Sequence, residues 1–285
     1  MKTIRFGHSP DPDDAFMFYA IAKGKIDLDG YRIVHVVEDI ESLNQRALRD
    51  ELEATAVSVH AYAYLTERYA IMRSGASIGE QYGPIVVSRN DFTAAVRGRP
   101  LAGKKIAIPG TLTTAYLALR LFEPEFSYVI VPFDKITDHV KAGKADAGLV
   151  IHEGQITYEN EGLRKVIDLG EWWWEETRLP LPLGIDAVRK DLGEEKMKAF
   201  AGVFRESILY SLAHRSEALE YAMPYGRNLS SEAADRFVGM YVNDYTRDLG
   251  PKGEEAICEL LKRGFARKLL PRKVTPEFAQ DWRAL

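Results

Sequence analysis

The chain has 285 residues and a formal net charge of -4, with 46% hydrophobic and 28% charged residues, the balance of an ordinary globular protein long enough for two cores. Without a basic excess or a long Lys/Arg block it lacks the electrostatic footprint of a nucleic-acid binder, and its single cysteine, Cys258, excludes an intrachain disulfide and any multi-cysteine metal site. No apolar run approaches the ~20 residues of a membrane-spanning helix, and Met1-Lys2-Thr3 passes into Ile4-Arg5-Phe6 without an apolar leader core, so a cytoplasmic location is expected.

In chain order, residues 4–7 read as a strand that breaks at Ser9-Pro10-Asp11-Pro12-Asp13-Asp14, and residues 15–22 as a helix stopped by Gly24. Pro12 and the aspartates suit a helix start, where carboxylates accept backbone N–H groups and meet the positive dipole end; capping is the expected work of Asp13 or Asp14. The loop also follows a first strand and so faces any crevice at the strand ends, which makes Ser9, Asp11 and Asp14 candidate substrate contacts. A strand over 31–37 leads to a helix capped by Asp39, with Ile40, Leu43, Ala47 and Leu48 at helical spacing. Residues 55–59 form the next strand. Ser58 and His60 lie at its exit, and His60 reads more simply as a solvated or helix-capping ring than as a catalytic group. A strand at 69–73 runs into the glycine-punctuated loop 74–83, which matches no nucleotide-binding fingerprint.

Two segments look like crossings between lobes. Residues 84–89 lead into a polar stretch ending at Gly103, and residues 182–189 lead into 190–193. Between them, strands at 105–108 and 128–131 alternate with helices at 113–122 and 136–141, implying βαβ units and a parallel sheet. The expected organisation is a discontinuous outer lobe, 1–89 and 184–285, with an inserted α/β lobe at 90–183 and the ligand between them.

Gly148-Leu149-Val150-Ile151-His152-Glu153-Gly154-Gln155 reads as a buried strand whose carboxyl end carries an imidazole to the cleft mouth, where it can take or give a proton near neutral pH. A structural histidine is the simpler alternative. At the turn Pro109-Gly110 and the following Thr113-Thr114, Gly110 lets the backbone approach a ligand, threonine hydroxyls donate, and a helix start offers free N–H groups, a combination that favours a carboxylate. Threonine capping explains the same residues. Trp172-Trp173-Trp174 cannot all face one side of a helix, so most of their area is expected in the core with at least one ring near the surface or cleft. Residues 179–182 are extended by proline geometry. From Glu194 onward the pattern is helical, with Met197, Phe200, Ala201, Phe204, Ile208 and Leu212 as one apolar stripe wrapping the first lobe, and no chemistry is assigned there.

Several of these stretches, in this order, resemble the 1,4-dihydroxy-6-naphthoate synthase family of the futalosine route to menaquinone: Ser9-Pro10-x-Pro12-x-Asp14-x-Phe16, Arg73-Ser74-Gly75-Ala76 with Gly83-Pro84-Ile85-Val86-Val87, Thr113-Thr114-Ala115-Tyr116, the His152 segment, and Leu179-Pro180-Leu181-Pro182-Leu183-Gly184. The resemblance implies an α/β, two-lobed periplasmic-binding-protein-like (type II) fold used as a cytoplasmic enzyme. It implies a substrate, cyclic dehypoxanthinyl futalosine, that is an anionic bicyclic compound cleaved at a carbon–carbon bond to release a dihydroxynaphthoate. It implies His152 as general base and Ser58, Thr113 and Thr114 as holders of polar and carboxylate groups. Ring aromatisation supplies much of the driving force, so no cofactor or metal is expected. The first loop departs from the family's Ser-Pro-Cys-Pro-Asn-Asp-Thr-Phe at Asp11, Asp13 and Ala15; acids beside an anion site repel the ligand unless they point away, cap the helix or bond a hydroxyl. Chorismate dehydratase, of similar fold, and a non-catalytic binding protein for a small organic anion are the alternatives.

Overall fold

The computed structural model describes residues 2–92, 100–226 and 229–279; part of the polar stretch expected after Arg89, residues 93–99, lies outside the described residues. Strand β1 (Lys2–His8) pairs in parallel with β2 (Tyr31–Val37) and β3 (Ala54–Ser58), and the connections carry α1 (Pro12–Ala22) and α2 (Ile40–Leu48). Residues 12–21 of α1 are all buried, as a helix apolar on every side requires. Asp39 caps α2 as expected, accepting from the Glu41 and Ser42 amides. After the short α3 (Val59–Tyr62) come β4 (Tyr69–Met72) and β5 (Ser77–Gly79).

The chain then enters a second sheet, formed by β6 (Ile85–Ser88), β7 (Lys105–Ile108), β8 (Ser127–Ile130), β9 (Ala147–Val150) and β10 (Arg164–Asp168) in the order β10-β6-β9-β7-β8. Helices α4 (Thr114–Phe122) and α5 (Ile136–Lys141) make the βαβ connections, and α6 (Gly154–Thr157) follows β9. After α7 (Leu169–Thr177) the nine-residue β11 (Leu181–Arg189) returns to the first sheet and inserts between β3 and β4, with β5 beside its start. Helices α8 (Glu194–Ala213), α9 (Arg215–Ala222), α10 (Ser231–Tyr241), α11 (Asp244–Arg247) and α12 (Gly250–Ala266) complete the chain, and β12 (Phe278–Ala279) edges the first sheet against β4.

Two expectations change here. The second sheet is mixed: β7 runs parallel to β8 and β9, but β6 runs against β9 and β10. In the first sheet β11 likewise runs against β3, β4 and β5. Each opposed strand is the first after a crossing. It therefore starts at the end where its neighbours finish. The pairing of β6 also means that the chain leaves the first sheet after Gly79, one strand earlier than the boundary expected at residue 89.

The α8 stripe packs as expected. Phe200, Phe204 and Ile208 are fully buried, and the Phe6 ring lies 4.6 Å from Phe18 and 4.8 Å from Phe204. Burying one such ring contributes ~1.5–3 kcal/mol. On α7 the middle tryptophan, Trp173, is fully buried and its indole N–H donates to Pro180 at 3.1 Å, while Trp172 and Trp174 are half-buried. Among the described residues no helix is long and apolar enough to cross a membrane.

Candidate functional site

A cavity with about 740 Å³ of space free of protein atoms, partly open to solvent, lies where strand ends of both sheets meet. Its wall comes from just past the carboxyl ends of four strands: Ser9, Asp11, Asp13 and Asp14 after β1, Ser58 closing β3, Thr113 to Ala115 after β7, and Ile151 after β9. Open α/β sheets receive ligands at this place. The sequence-predicted residues Ser9, Asp11, Asp14, Ser58, Thr113 and Thr114 are thus brought together. Gly110 and His152 are not in the wall. Gly110 instead admits the Glu41 carboxylate, which a Cβ there would meet at 2.3 Å and which accepts the Leu112 amide at 3.1 Å.

In the first loop Asp11 occupies the N-cap position of α1 without a side-chain cap bond, and the Asp13 carboxyl interacts with its own amide and that of Asp14 in the first turn. The Asp14 carboxylate reaches back to the Ser9 amide at 2.5 Å, closing the loop, and Ser9 Oγ donates to Asp11 at 3.1 Å. Burial pushes the Asp14 carboxyl up to about 6 against the pull of the Ser9 bonds. Asp13 is pushed well above the ordinary range, first by burial and then by the charges of Asp14 and Asp11.

Ser58 Oγ accepts from Asn44 Nδ2 at 3.1 Å, an arrangement that leaves the hydroxyl proton for a ligand. The threonines are more committed. Thr113 caps α4, accepting the Tyr116 amide and donating to Gly110 at 2.9 Å; Thr114 Oγ1 donates to Leu183 at 2.6 Å and accepts the His60 amide at 3.2 Å. Each hydroxyl proton is spent inside the protein. The donors left to an anion are the first amides of α4, at Thr114 and Ala115, which have no acceptor within the helix. His60, expected to be solvated or capping, is buried: its Nδ1 donates to the Thr113 carbonyl at 3.3 Å, and burial lowers the ring to about 4.

His152 follows the end of β9 by two residues and is buried beside Phe133, with ring centroids 5.6 Å apart. Its Nδ1 accepts the Gly154 amide at 3.0 Å and stands 3.6 Å from a Glu153 carboxylate oxygen, and its Nε2 is buried without a hydrogen-bond partner. A backbone amide can only donate. The neutral ring therefore carries its proton on Nε2.

Several wall residues were not assigned to the site from sequence, among them Asp13, expected only as a possible cap, and Asp186, Phe237 and Tyr241. Asp186, an acid in the middle of apolar β11, lines the cavity and is pushed well above the carboxylate range by burial and by Asp14 and Asp13. Its position inside an otherwise apolar strand is the signal that marks it. Phe237 and Tyr241 of α10 also line it, and the Tyr241 hydroxyl donates to Gln155 at 2.7 Å, joining the C-terminal helices to the second sheet's loops. As apolar-stripe residues of a helix they carry no such mark.

The sequence profile of the menaquinone biosynthesis family matches residues 4–266. The chain belongs to this family. Two curated relatives are named 1,4-dihydroxy-6-naphthoate synthase. That of Thermus thermophilus is 41% identical over 278 residues, 98% of this chain and 100% of its own length; that of Streptomyces coelicolor is 36% identical over 276 residues, 94% and 95%. A crystal structure of an Archaeoglobus fulgidus protein is 48% identical and superposes with a TM-score of 0.89 over 94% of this chain and 98% of its own. The alkanesulfonate-binding protein of Xanthomonas axonopodis pv. citri, bound to MOPS, is 11% identical with a TM-score of 0.72 over 96% of each chain. The last likeness concerns the fold alone. This member of the menaquinone biosynthesis family has the two-lobed periplasmic-binding-protein-like fold, with its cavity between the two sheets.

Proposed function

We propose that this family member is a carbon–carbon lyase of menaquinone biosynthesis that converts cyclic dehypoxanthinyl futalosine to 1,4-dihydroxy-6-naphthoate in the cytoplasm. The observation that carries the reading is the end-to-end match to two synthases of that name. The cavity suits the substrate class. Ile40, Ile151, Leu183 and Phe237 offer apolar walls to a ring system, while the amides opening α4 and the Ser58 hydroxyl offer donors to a carboxylate. The outer lobe is built on the sheet of β1–β5, β11 and β12 and the inserted lobe on the sheet of β6–β10, and wall residues come from both, so a ligand in the cavity meets both lobes.

His152 is the proposed base. It adjoins the wall residue Ile151, and the bond from the Gly154 amide to Nδ1 places the ring proton on Nε2. To accept a substrate proton the ring must leave Gly154 and turn a bare nitrogen to the cavity, a rearrangement of the kind that lobe closure drives. Incubating the purified chain with cyclic dehypoxanthinyl futalosine and, separately, with chorismate tests the reading. Naphthoate absorbance is expected from the first alone; turnover of chorismate, or of neither compound, refutes it.

A further inference from the structure

We infer that Asp13 and Asp186 face the cavity as a pair of neutral carboxylic acids that donate hydrogen bonds to a negatively charged oxygen of the bound substrate. The inference rests on the lyase reading for the identity of that ligand. Both side chains line the cavity from different elements, Asp13 at the start of α1 and Asp186 on β11 opposite Ala56 of β3. Asp13 is 8% and Asp186 2% exposed, and in each the Oδ1 atom is buried with no hydrogen-bond partner.

The surroundings decide the charge. The charges that act most on Asp13 are Asp14 and Asp11, and those on Asp186 are Asp14 and Asp13; all are carboxyls, and on Asp13 burial and these charges outweigh the opposing pull of its own amide and that of Asp14. The titratable group that α10 brings to the same wall, Tyr241, spends its proton on Gln155. Asp14 is already held by the Ser9 amide. On its other side Asp186 is wedged against Gly75, where a Cβ would come within 2.3 Å of Oδ2 and 2.5 Å of the Phe204 ring. An ionised carboxylate with a bare buried oxygen and no cation costs several kcal/mol, which protonation avoids.

Neutralisation changes what the acids can do. A carboxylate only accepts hydrogen bonds, but a carboxylic acid also donates one. Two residues that line an open cavity, each with one carboxyl oxygen buried and unpartnered, form a site in which a protonated acid can donate to an enolate or carboxylate oxygen. Such donors stabilise negative charge as it develops, because they are fixed in a water-poor pocket before the reaction begins. The same two residues then cease to repel an anionic substrate. A divalent cation is the competing occupant, although among the described residues no group of three or more His, Cys, Asp or Glu is arranged to hold one.

Infrared difference spectra of the full chain in light and heavy water near neutral pH read the protonation state directly. The expected result is a carboxylic-acid C=O band that weakens in Asp13→Asn and in Asp186→Asn, vanishes in the double variant, and moves to lower frequency when 1,4-dihydroxy-6-naphthoate is added to the wild type. By calorimetry the single Asn variants should bind the naphthoate within roughly threefold of wild type, and Asp13→Ala and Asp186→Ala roughly tenfold or more weaker. Absence of the band, its survival in the double variant, or wild-type affinity in both Ala variants overturns the inference. Saturable binding of magnesium or manganese that the double variant abolishes overturns it too, assigning the pair to a cation. A band that each single Asn variant weakens and the double variant abolishes, in a chain that neither binds nor makes naphthoate, upholds the neutral acid pair and refutes the lyase reading.

Discussion

His8 illustrates how burial sets the charge of individual groups in this protein. Its Nδ1 meets the Ser9 carbonyl at 3.1 Å, its Nε2 meets His35 Nδ1 at 3.1 Å, and its ring stacks on Phe18 with centroids 4.2 Å apart. Burial lowers His8 to about 4, and burial together with His8 lowers His35 to about 4. The unfolded chain takes up these protons near pH 6.5 and the folded chain only near pH 4, so the neutral rings' contribution is complete above ~6.5 and is lost as pH falls toward ~4. Asp14, raised to about 6, has the opposite sign: its contribution is complete below ~3.8 and is lost as pH rises through 6. His8→Gln removes one of these titrations. Between pH 6.5 and 5 the wild type should lose about 2 kcal/mol more than this variant in urea unfolding; parallel losses would mean that His8 is protonated in the folded state. For His152 the expectation concerns rate. His152→Ala should cut turnover of cyclic dehypoxanthinyl futalosine by roughly 10²–10⁴ with little change in naphthoate affinity, because the ring is not in the cavity wall. Turnover near that of the wild type removes it from the reaction.

At the scale of elements, the start of α4 is a joint as well as a ligand site. Thr114 ties it to β11 through Leu183 and to α3 through the His60 amide, so one hydroxyl links three elements drawn from both sheets. Thr114→Val keeps the shape and strands a buried carbonyl and a buried amide. A loss of ~1–3 kcal/mol in unfolding free energy is expected, and an unchanged urea midpoint would show that water or a shifted backbone replaces both bonds. The effect on anion binding should be indirect, since the Thr114 proton is already spent. The elements themselves were largely legible, because apolar periodicity and the caps at Asp39 and Thr113 are local signals. The direction of β6 and β11 was not, because it depends on which sheet a strand joins. The same limit governs the site. Ser9, Ser58 and Thr113 stand at strand exits that local pattern locates, whereas Tyr241 reaches the cavity through a contact with Gln155, 86 positions away. The end of the His152 strand was legible only to within two residues: β9 stops at Val150, and His152 lies in the turn that follows, where its Nδ1 accepts the Gly154 amide.

For the whole molecule, the two crossings decide whether the sheets move as separate bodies. They lie against each other: the Leu169 amide donates to the Pro84 carbonyl at 2.9 Å, and a Cβ on Gly170 would come within 2.0 Å of the Tyr82 carbonyl and 2.5 Å of the Gly83 nitrogen. These neighbours are backbone atoms and cannot swing away as a side chain can. The two crossings are therefore packed backbone against backbone, with wall residues of the cavity on either side. Gly170→Ala should force them apart at a cost of roughly 1–3 kcal/mol and alter the angle at which the sheets meet. Hydrogen exchange separates this from simple loosening. In the wild type, 1,4-dihydroxy-6-naphthoate should slow exchange at the strand exits of both sheets, after β1 and β3 and after β7 and β9. In Gly170→Ala the free protein should keep the protection of both sheets, while the ligand slows exchange at the exits of one sheet alone. Ligand protection at both sets of exits in the variant, at wild-type affinity, would mean that the sheets meet the ligand without bending at this joint, and the paired crossings would then be packing and nothing more.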